Sequence, residues 1–482
     1  MIFGLFKKET GADIIFTGGK VYTLDPDAPW AETVACKDGV IIAVGDTDLI
    51  DELKTDETEI VDLKGGVLLP GFIDACGHPV LQAFSEACLI IYDDMTLEEV
   101  YLALTNYIAR HPKKQSYFAY GFNPELIASM DKEKTMAALD EICSDKPITL
   151  LDISGFQGWF NSKALRQVTK AAEEEAKPPV ISLAYILNVL APIDFDTLQQ
   201  SVVTLAAEYC EKGYTTVFDC GCPDYLHAVY QEILVEMLQE GLLKQRFMGS
   251  LLITRNIDVG YILKKLMQKR INCVEINDFI KCDTLKLIFD TSGENKLNVS
   301  SDLLKILSIQ ASDKGFDVHI DAVGKEAVAN AFQAVFLARA AGYKNNHFTI
   351  AHSYGLSQEE KTELLLDNEL CETSPTLGDF TKKFRGIETA KSVSDAIDKL
   401  TIEAAVQLGV SEQYGSIETD KKADFVIFRE NPLDCNLPRF QGLSAAMTVI
   451  DGKIVYDAEK DNPAKWLKIM SSSHDDFTLS TE

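Results

Sequence analysis

Basic residues are in short supply. Forty-six lysines and arginines stand against 74 aspartates and glutamates, a net charge of −28. A chain this acidic repels polyanions, so neither nucleic acid nor an anionic membrane surface is an expected partner. Long apolar runs are missing as well, and none approaches the roughly 20 residues that cross a bilayer. The start, MIFGLFKKETG, has only a short apolar segment, and its lysines follow that segment, the reverse of an export signal; the expected compartment is the cytoplasm. The 11 cysteines are odd in number and scattered, the pattern of reduced thiols and not of a disulfide framework. There is no internal repeat, no Walker loop, no dinucleotide fingerprint and no GxSxG elbow, which removes the commonest nucleotide-binding and serine-hydrolase classes.

What remains is the composition of a soluble globular protein, 46% hydrophobic and 25% charged, in a chain of 482 residues that is long enough for more than one unit. Residues 12–68 read as short strands broken by turns: ADIIFTGGKVYTLD, GVIIAVGD and TEIVDLKGGVLLP, with Gly18-Gly19 and Lys37-Asp38-Gly39 as hairpin punctuation. The far end repeats the texture in GSIETDKKADFVIFRENPLD and AAMTVIDGKIVYD. Neither piece has a full core, so residues 12–68 and 412–458 are expected to complete one composite β-sandwich. A polar tail, 459–482, follows.

Between these ends, residues 69–411 alternate strand and helix. Short apolar runs such as GYTTVFDCG, RFMGSLLI, LKLIFD, FDVHID, FTIAHS and LCETSP are separated by amphipathic stretches such as SDLLKILSIQASDKG. Repeated βα units imply parallel strands, and at this length they predict a (β/α) TIM-type barrel. The first barrel strand ends in LLPGFIDACGHP, where alternation predicts Asp74, Cys76 and His78 on one face. Other polar residues fall at strand ends in the same way: Lys286 in LKLIFD, His319 and Asp321 in FDVHID, His352 in FTIAHS. A lone buried histidine is more often a hydrogen-bonded core residue than a ligand. A lysine inside an apolar strand is rarer, because an unpaired buried ammonium is costly. Several such positions at the strand ends of one barrel point to a site.

PGFIDACGHP resembles the PGFIDxHxHP signature of the amidohydrolase superfamily, and GSIETDKKADFVIF is similar to its closing GSLxxGKxADLVV motif. SGFQGWFNSKAL, LKLIFDTSG, DVHIDAVGKEAV and TIAHSYGLSQEE resemble the branch that includes N-substituted formamide deformylase. The resemblance implies a metal-dependent hydrolase of carbon–nitrogen, non-peptide bonds, with residues 80–200 inserted after the first strand. It implies a divalent metal, zinc by ligand type, and a small-molecule substrate; a homo-oligomer is compatible with it. The metal positions it marks are His78, Lys286, His352, Cys76 and Asp321.

Several of these positions depart from the family pattern. Cys76 stands where the first histidine belongs and Asp321 where the strand-five histidine belongs, with His319 two residues earlier; Gly155-Phe156 replaces a Gly-His pair. Only 49 residues separate His352 from Thr401, too few for strands seven and eight and both their helices, and no apolar run between Lys382 and Asp398 reads as a strand. The barrel is therefore expected to lack strand eight and the proton-shuttling aspartate it carries, and no catalytic residue is assigned; Asp379 reads as a solvated loop residue. Without a metal pair, Lys286 is expected as a free amine paired with Asp321 or another carboxylate. Cys220 and Cys222 in VFDCGCPD either join Cys76 and His78 around zinc or are small buried thiols. Three readings follow: a metal hydrolase with an altered ligand set and impaired activity, a catalytically silent small-molecule-binding paralogue, or a subunit whose barrel gap is covered by a partner chain.

Overall fold

The computed structural model describes residues 11–91, 95–128, 131–152, 157–175, 195–222, 224–254, 256–274, 279–290, 299–351, 387 and 389–461. His352, Asp379, Gly155-Phe156 and the stretch LCETSP lie outside the described residues.

The two chain ends meet in β-structure. Ile14–Thr17, Thr33–Lys37, Val40–Gly45 and Glu59–Asp62 form one four-stranded sheet. In a six-stranded sheet, Val67–Pro70 from the first end pairs antiparallel with Phe425–Phe428 from the last, Leu68 opposite Ile427. One apolar cluster draws on both sheets, with Phe16, Val34 and Val61 from the first and Leu68, Phe425 and Val449 from the second. Asp38-Gly39 and Asp451-Gly452 close their hairpins with positive φ at both residues (51° and 77°, 48° and 69°), the geometry that matches the twist of the strands they join.

Among the described residues six parallel strands in sequential order make the central sheet: β1 (Phe72–Gly77), β2 (Tyr214–Asp219), β3 (Arg246–Ile253), β4 (Ile280–Asp290), β5 (Asp317–Val323) and β6 (Phe348–Ala351). Sequential order with a helix between successive strands is the βαβ arrangement, and the sheet curls as a half-barrel. Alternation sorts its side chains. Leu251, Leu285, Leu287, Ile320 and Ile350 pack against the helices Val259–Val274, Ser301–Asp313 and Lys325–Ala340. The intervening residues, among them Lys286, His319, Asp321 and Thr349, share the opposite, concave face. Between β1 and β2 the chain builds a separate four-stranded sheet, Leu89–Ile90, Tyr117–Phe122, Ile148–Asp152 and Gly158–Phe160, with its own apolar core.

Residues 389–398 contain no strand. They turn into the helix Val393–Leu400, started by the Ser392 hydroxyl accepting from the Asp395 N–H, and Ile402–Gln407 forms the next helix. At the opposite end of the concave face Arg246, the first residue of β3, is buried. Its guanidinium donates to Asp424 (Nη2 to Oδ1, 3.1 Å) and Asp451 (2.7 Å) and lies over the rings of Phe279 and Tyr414, 4.7 and 5.3 Å from their centroids. This ties the start of β3 to the chain-end sheet.

Candidate active site at the barrel mouth

Lys286 and Asp321 are brought together. They stand on neighbouring strands with their side chains on the concave face, and Lys286 Nζ donates to Asp321 Oδ1 at 2.5 Å. The lysine side chain is 2% exposed and the carboxylate 14%. A buried ammonium requires such a partner, and the pairing expected from sequence is present. His319 Nε2 lies 3.7 Å from the same Asp321 oxygen, and its ring stacks on Phe218 with centroids 5.7 Å apart and planes 10° from parallel.

His78 follows β1 as the residue before the helix Pro79–Ala87. Its Nδ1 donates to the Gly221 carbonyl at 3.0 Å. Gly221 links the two halves of the mouth. It has φ +115°, and a Cβ there would lie 3.3 Å from Lys286 Cγ, so only glycine lets the loop after β2 run between His78 and Lys286.

Asp74, Cys76 and His78 do not follow the simple alternation expected of them. Register between β1 and β2 shifts from Asp74↔Val217 to Gly77↔Asp219, three residues of β1 against two of β2, and this bulge breaks the period-two pattern. Asp74 is buried and accepts from Tyr209 Oη at 3.1 Å, a hydroxyl carried by the helix Phe195–Lys212. Cys76 is half-buried, and its Sγ lies 3.9 Å from Gln407 Nε2, which donates to the Ala75 carbonyl at 2.9 Å.

Cys220 and Cys222 are both buried, and Cys220 Sγ donates to the Ala75 carbonyl at 3.6 Å. Burial pushes the Cys220 thiol well above its usual range against the pull of Lys286. Among the described residues no three of Cys76, His78, Cys220 and Cys222 gather as a metal-holding group.

Sequence reasoning missed Asp219 and Gln407. Asp219 ends β2 fully buried; desolvation raises its carboxyl to about 7, opposed by the Cys222 thiol and Lys269. A charged residue closing the apolar run TTVFD was the available signal. For Gln407, a polar residue in an ordinary amphipathic helix, there was none.

His78 is oriented as a ligating imidazole is, its second nitrogen tied to a carbonyl. The other described members of the set do not gather for an ion: Asp321 is bonded to Lys286, the nearby thiols are buried or turned to carbonyls and an amide, and among the described residues no group of three or more His, Cys, Asp or Glu side chains could hold one.

The sequence profile of the amidohydrolase family matches residues 59–365 and 372–456. The exoenzymes regulatory protein AepA of Pectobacterium carotovorum subsp. carotovorum is 34% identical over 168 residues, 34% of this chain and 36% of that protein. N-substituted formamide deformylase of Arthrobacter pascens is 28% identical over 155 residues, 32% of this chain and 28% of that protein. The matched stretches thus cover about a third of each curated relative's length. An uncharacterized metal-dependent hydrolase from Pyrococcus furiosus superposes with a TM-score of 0.57 at 17% identity, over 87% of this chain and 100% of that one, a likeness of fold. With the profile running through both chain ends and the parallel half-barrel between them, the chain belongs to the amidohydrolase family.

Proposed function

We propose that the protein is a diverged amidohydrolase that takes a small carbon–nitrogen, non-peptide compound at its barrel mouth and turns it over poorly. The observation that carries this reading is the Lys286–Asp321 pair. A carboxylate that accepts from Lys286 is engaged with that side chain, which supports a site diverged from a metal-holding one. The sequence also offers no replacement for the proton-shuttling aspartate, and general acid–base assistance alone is worth about 10²–10⁴-fold. His78, Lys286, His352, Cys76 and Asp321 remain the positions at which a divalent ion would be held, with zinc the one best matched to nitrogen and sulfur donors.

A second reading is a catalytically silent paralogue that binds a small molecule in the old pocket; the Lys286–Asp321 pair, with His319 stacked on Phe218 beside it, supports this reading. Under both readings the two chain-end sheets act as a composite β-sandwich, and the barrel lacks its eighth strand. The protein works in the cytoplasm on a small molecule, without nucleic acid or membrane, and a homo-oligomer is compatible with it. No helix among the described residues is long and apolar enough to cross a membrane.

Metal analysis of purified protein, joined to assays with simple amides and N-substituted formamides, tests the proposal. The expected result is less than one tightly bound divalent ion per chain and little or no hydrolysis. Stoichiometric zinc, with turnover that Cys76→Ala abolishes, would overturn it. A thermal shift on adding formamides without turnover selects the silent reading.

A further inference from the structure

Two buried polar atoms on the floor of the half-barrel meet no partner among the described residues, Nη1 of Arg246 and Oγ1 of Thr216. A guanidinium carries five N–H donors in a rigid fork. In Arg246 the Nε donor goes to Asp424 Oδ2 (3.2 Å), and Nη2 donates to Asp424 Oδ1 (3.1 Å) and Asp451 Oδ1 (2.7 Å), which leaves both donors of Nη1. The two atoms belong to neighbours. Thr216 on β2 and Arg246 on β3 are register partners, as are the residues after them, Val217 and Phe247. Val217 and Phe247 pack into an apolar cluster with the outer helices, whereas Phe218 stacks on His319, so Thr216 and Arg246 share the concave face. Thr216 is 1% exposed and Arg246 3%, and the Phe279 and Tyr414 rings lie against the guanidinium. Bulk solvent therefore satisfies neither atom, and native proteins rarely leave such groups unmet.

We propose that this corner of the floor binds one buried water, which accepts from Arg246 Nη1 and donates to the Thr216 hydroxyl. Charge and donor type select it. Nη1 can only donate, so its partner must offer a lone pair, and the guanidinium repels a metal cation. An anion would also accept, but Asp424 and Asp451 already face the guanidinium, and a third negative charge beside them would be buried at high cost. A small neutral molecule that both accepts and donates is water. Bound there, it completes the hydrogen bonding of the cation that ties β3 to the chain-end sheet. The site lies at the opposite end of the concave face from Lys286, and it stands whether or not the protein hydrolyses amides.

Thr216→Val keeps the shape of the side chain and removes only the hydroxyl. Were that hydroxyl unmet, its removal would stabilise the fold. With the water in place, the substitution takes away its acceptor, and the folding equilibrium constant read from urea unfolding is expected to fall about tenfold. Magnetic relaxation dispersion of the solvent, which counts long-lived internal waters, is expected to lose one in the variant. A variant as stable as the wild type or more so, or an unchanged water count, overturns the proposal. Should the variant fail to fold, a high-resolution crystal structure of the native chain decides. A water within hydrogen-bonding distance of both atoms is expected there, and a chloride or no density overturns the site.

Discussion

The half-barrel carries a buried cation at each end of its concave face, and the two are built differently. At the start of β3, Arg246 meets two aspartates, offers Asp424 both Nε (3.2 Å) and Nη2 (3.1 Å), and is held between two aromatic rings. Towards the end of β4, Lys286 makes a single bond to one carboxylate that retains some contact with solvent. A planar fork fixed by several partners is suited to holding elements together; a point charge on a flexible stem, with one partner, is suited to a place that once changed its occupant. The lower cluster joins the barrel to the chain-end sheet. The upper pair includes Lys286, one of the positions at which the family resemblance implies a metal ligand. The same ingredients tie two sheets together in one place and pair two neighbouring strands in the other.

Breaking the lower cluster is expected to cost most. Arg246→Leu leaves Asp424 and Asp451 without their shared cation in a site where burial already raises the Asp424 carboxyl. Removing one member of a buried, bonded charge cluster costs about 3–5 kcal/mol, and this variant is expected at the upper end. Urea unfolding measures it; a loss under 1 kcal/mol would show that the guanidinium is a passenger. The upper pair is expected to give less. Lys286→Met strands Asp321 at a loss of about 2–3 kcal/mol, reduced because that carboxyl is partly solvated. Lys286→Met combined with Asp321→Leu is expected to recover most of the loss, since an apolar pair of similar volume replaces a buried ion pair at little cost. A double variant no better than the single would mean that the pair is held by more than mutual charge.

This difference also marks how far the sequence could be read. RFMGSLLI gave β3 to the residue, and Asp38-Gly39 gave its hairpin, because strand alternation and αL-tolerant turns are local physics. The meeting of Lys286 with Asp321 was legible because a lysine in an apolar strand demands a carboxylate. The bulge in β1 was not: nothing in FIDACG distinguishes a regular strand from one that spends an extra residue, and so Asp74 was placed on the wrong face. The side of the sheet chosen by Ile402–Gln407 was equally hidden, since an apolar helical face records that it is covered and not by what. His352 lies outside the described residues, and its place beside His78 stays an expectation.

A third carboxylate sharpens the comparison because no cation among the described residues is bonded to it. Asp317 opens β5, four residues before Asp321, and accepts the His347 N–H at 2.6 Å; among the described residues it forms no ion pair. Desolvation raises its carboxyl to about 6, ahead of the opposing pull of the His347 amide, Arg270 and Arg339. The sign follows from proton counting. Between the unfolded value near 3.9 and the folded value of about 6, the native state binds more protons than the unfolded chain, so this group favours folding at low pH and its contribution is lost as pH rises through that window. Asp317→Asn keeps an oxygen for the His347 amide and removes the charge. It is therefore expected to be neutral at pH 4 and stabilising by about 2 kcal/mol at pH 7.5, the smallest effect of the three and the only one that gains stability. Denaturant unfolding of wild type and variant at both pH values measures it. Equal stabilities at pH 7.5 would mean that Arg270 and Arg339 already compensate the charge, and that Asp317 belongs with the paired carboxylates after all.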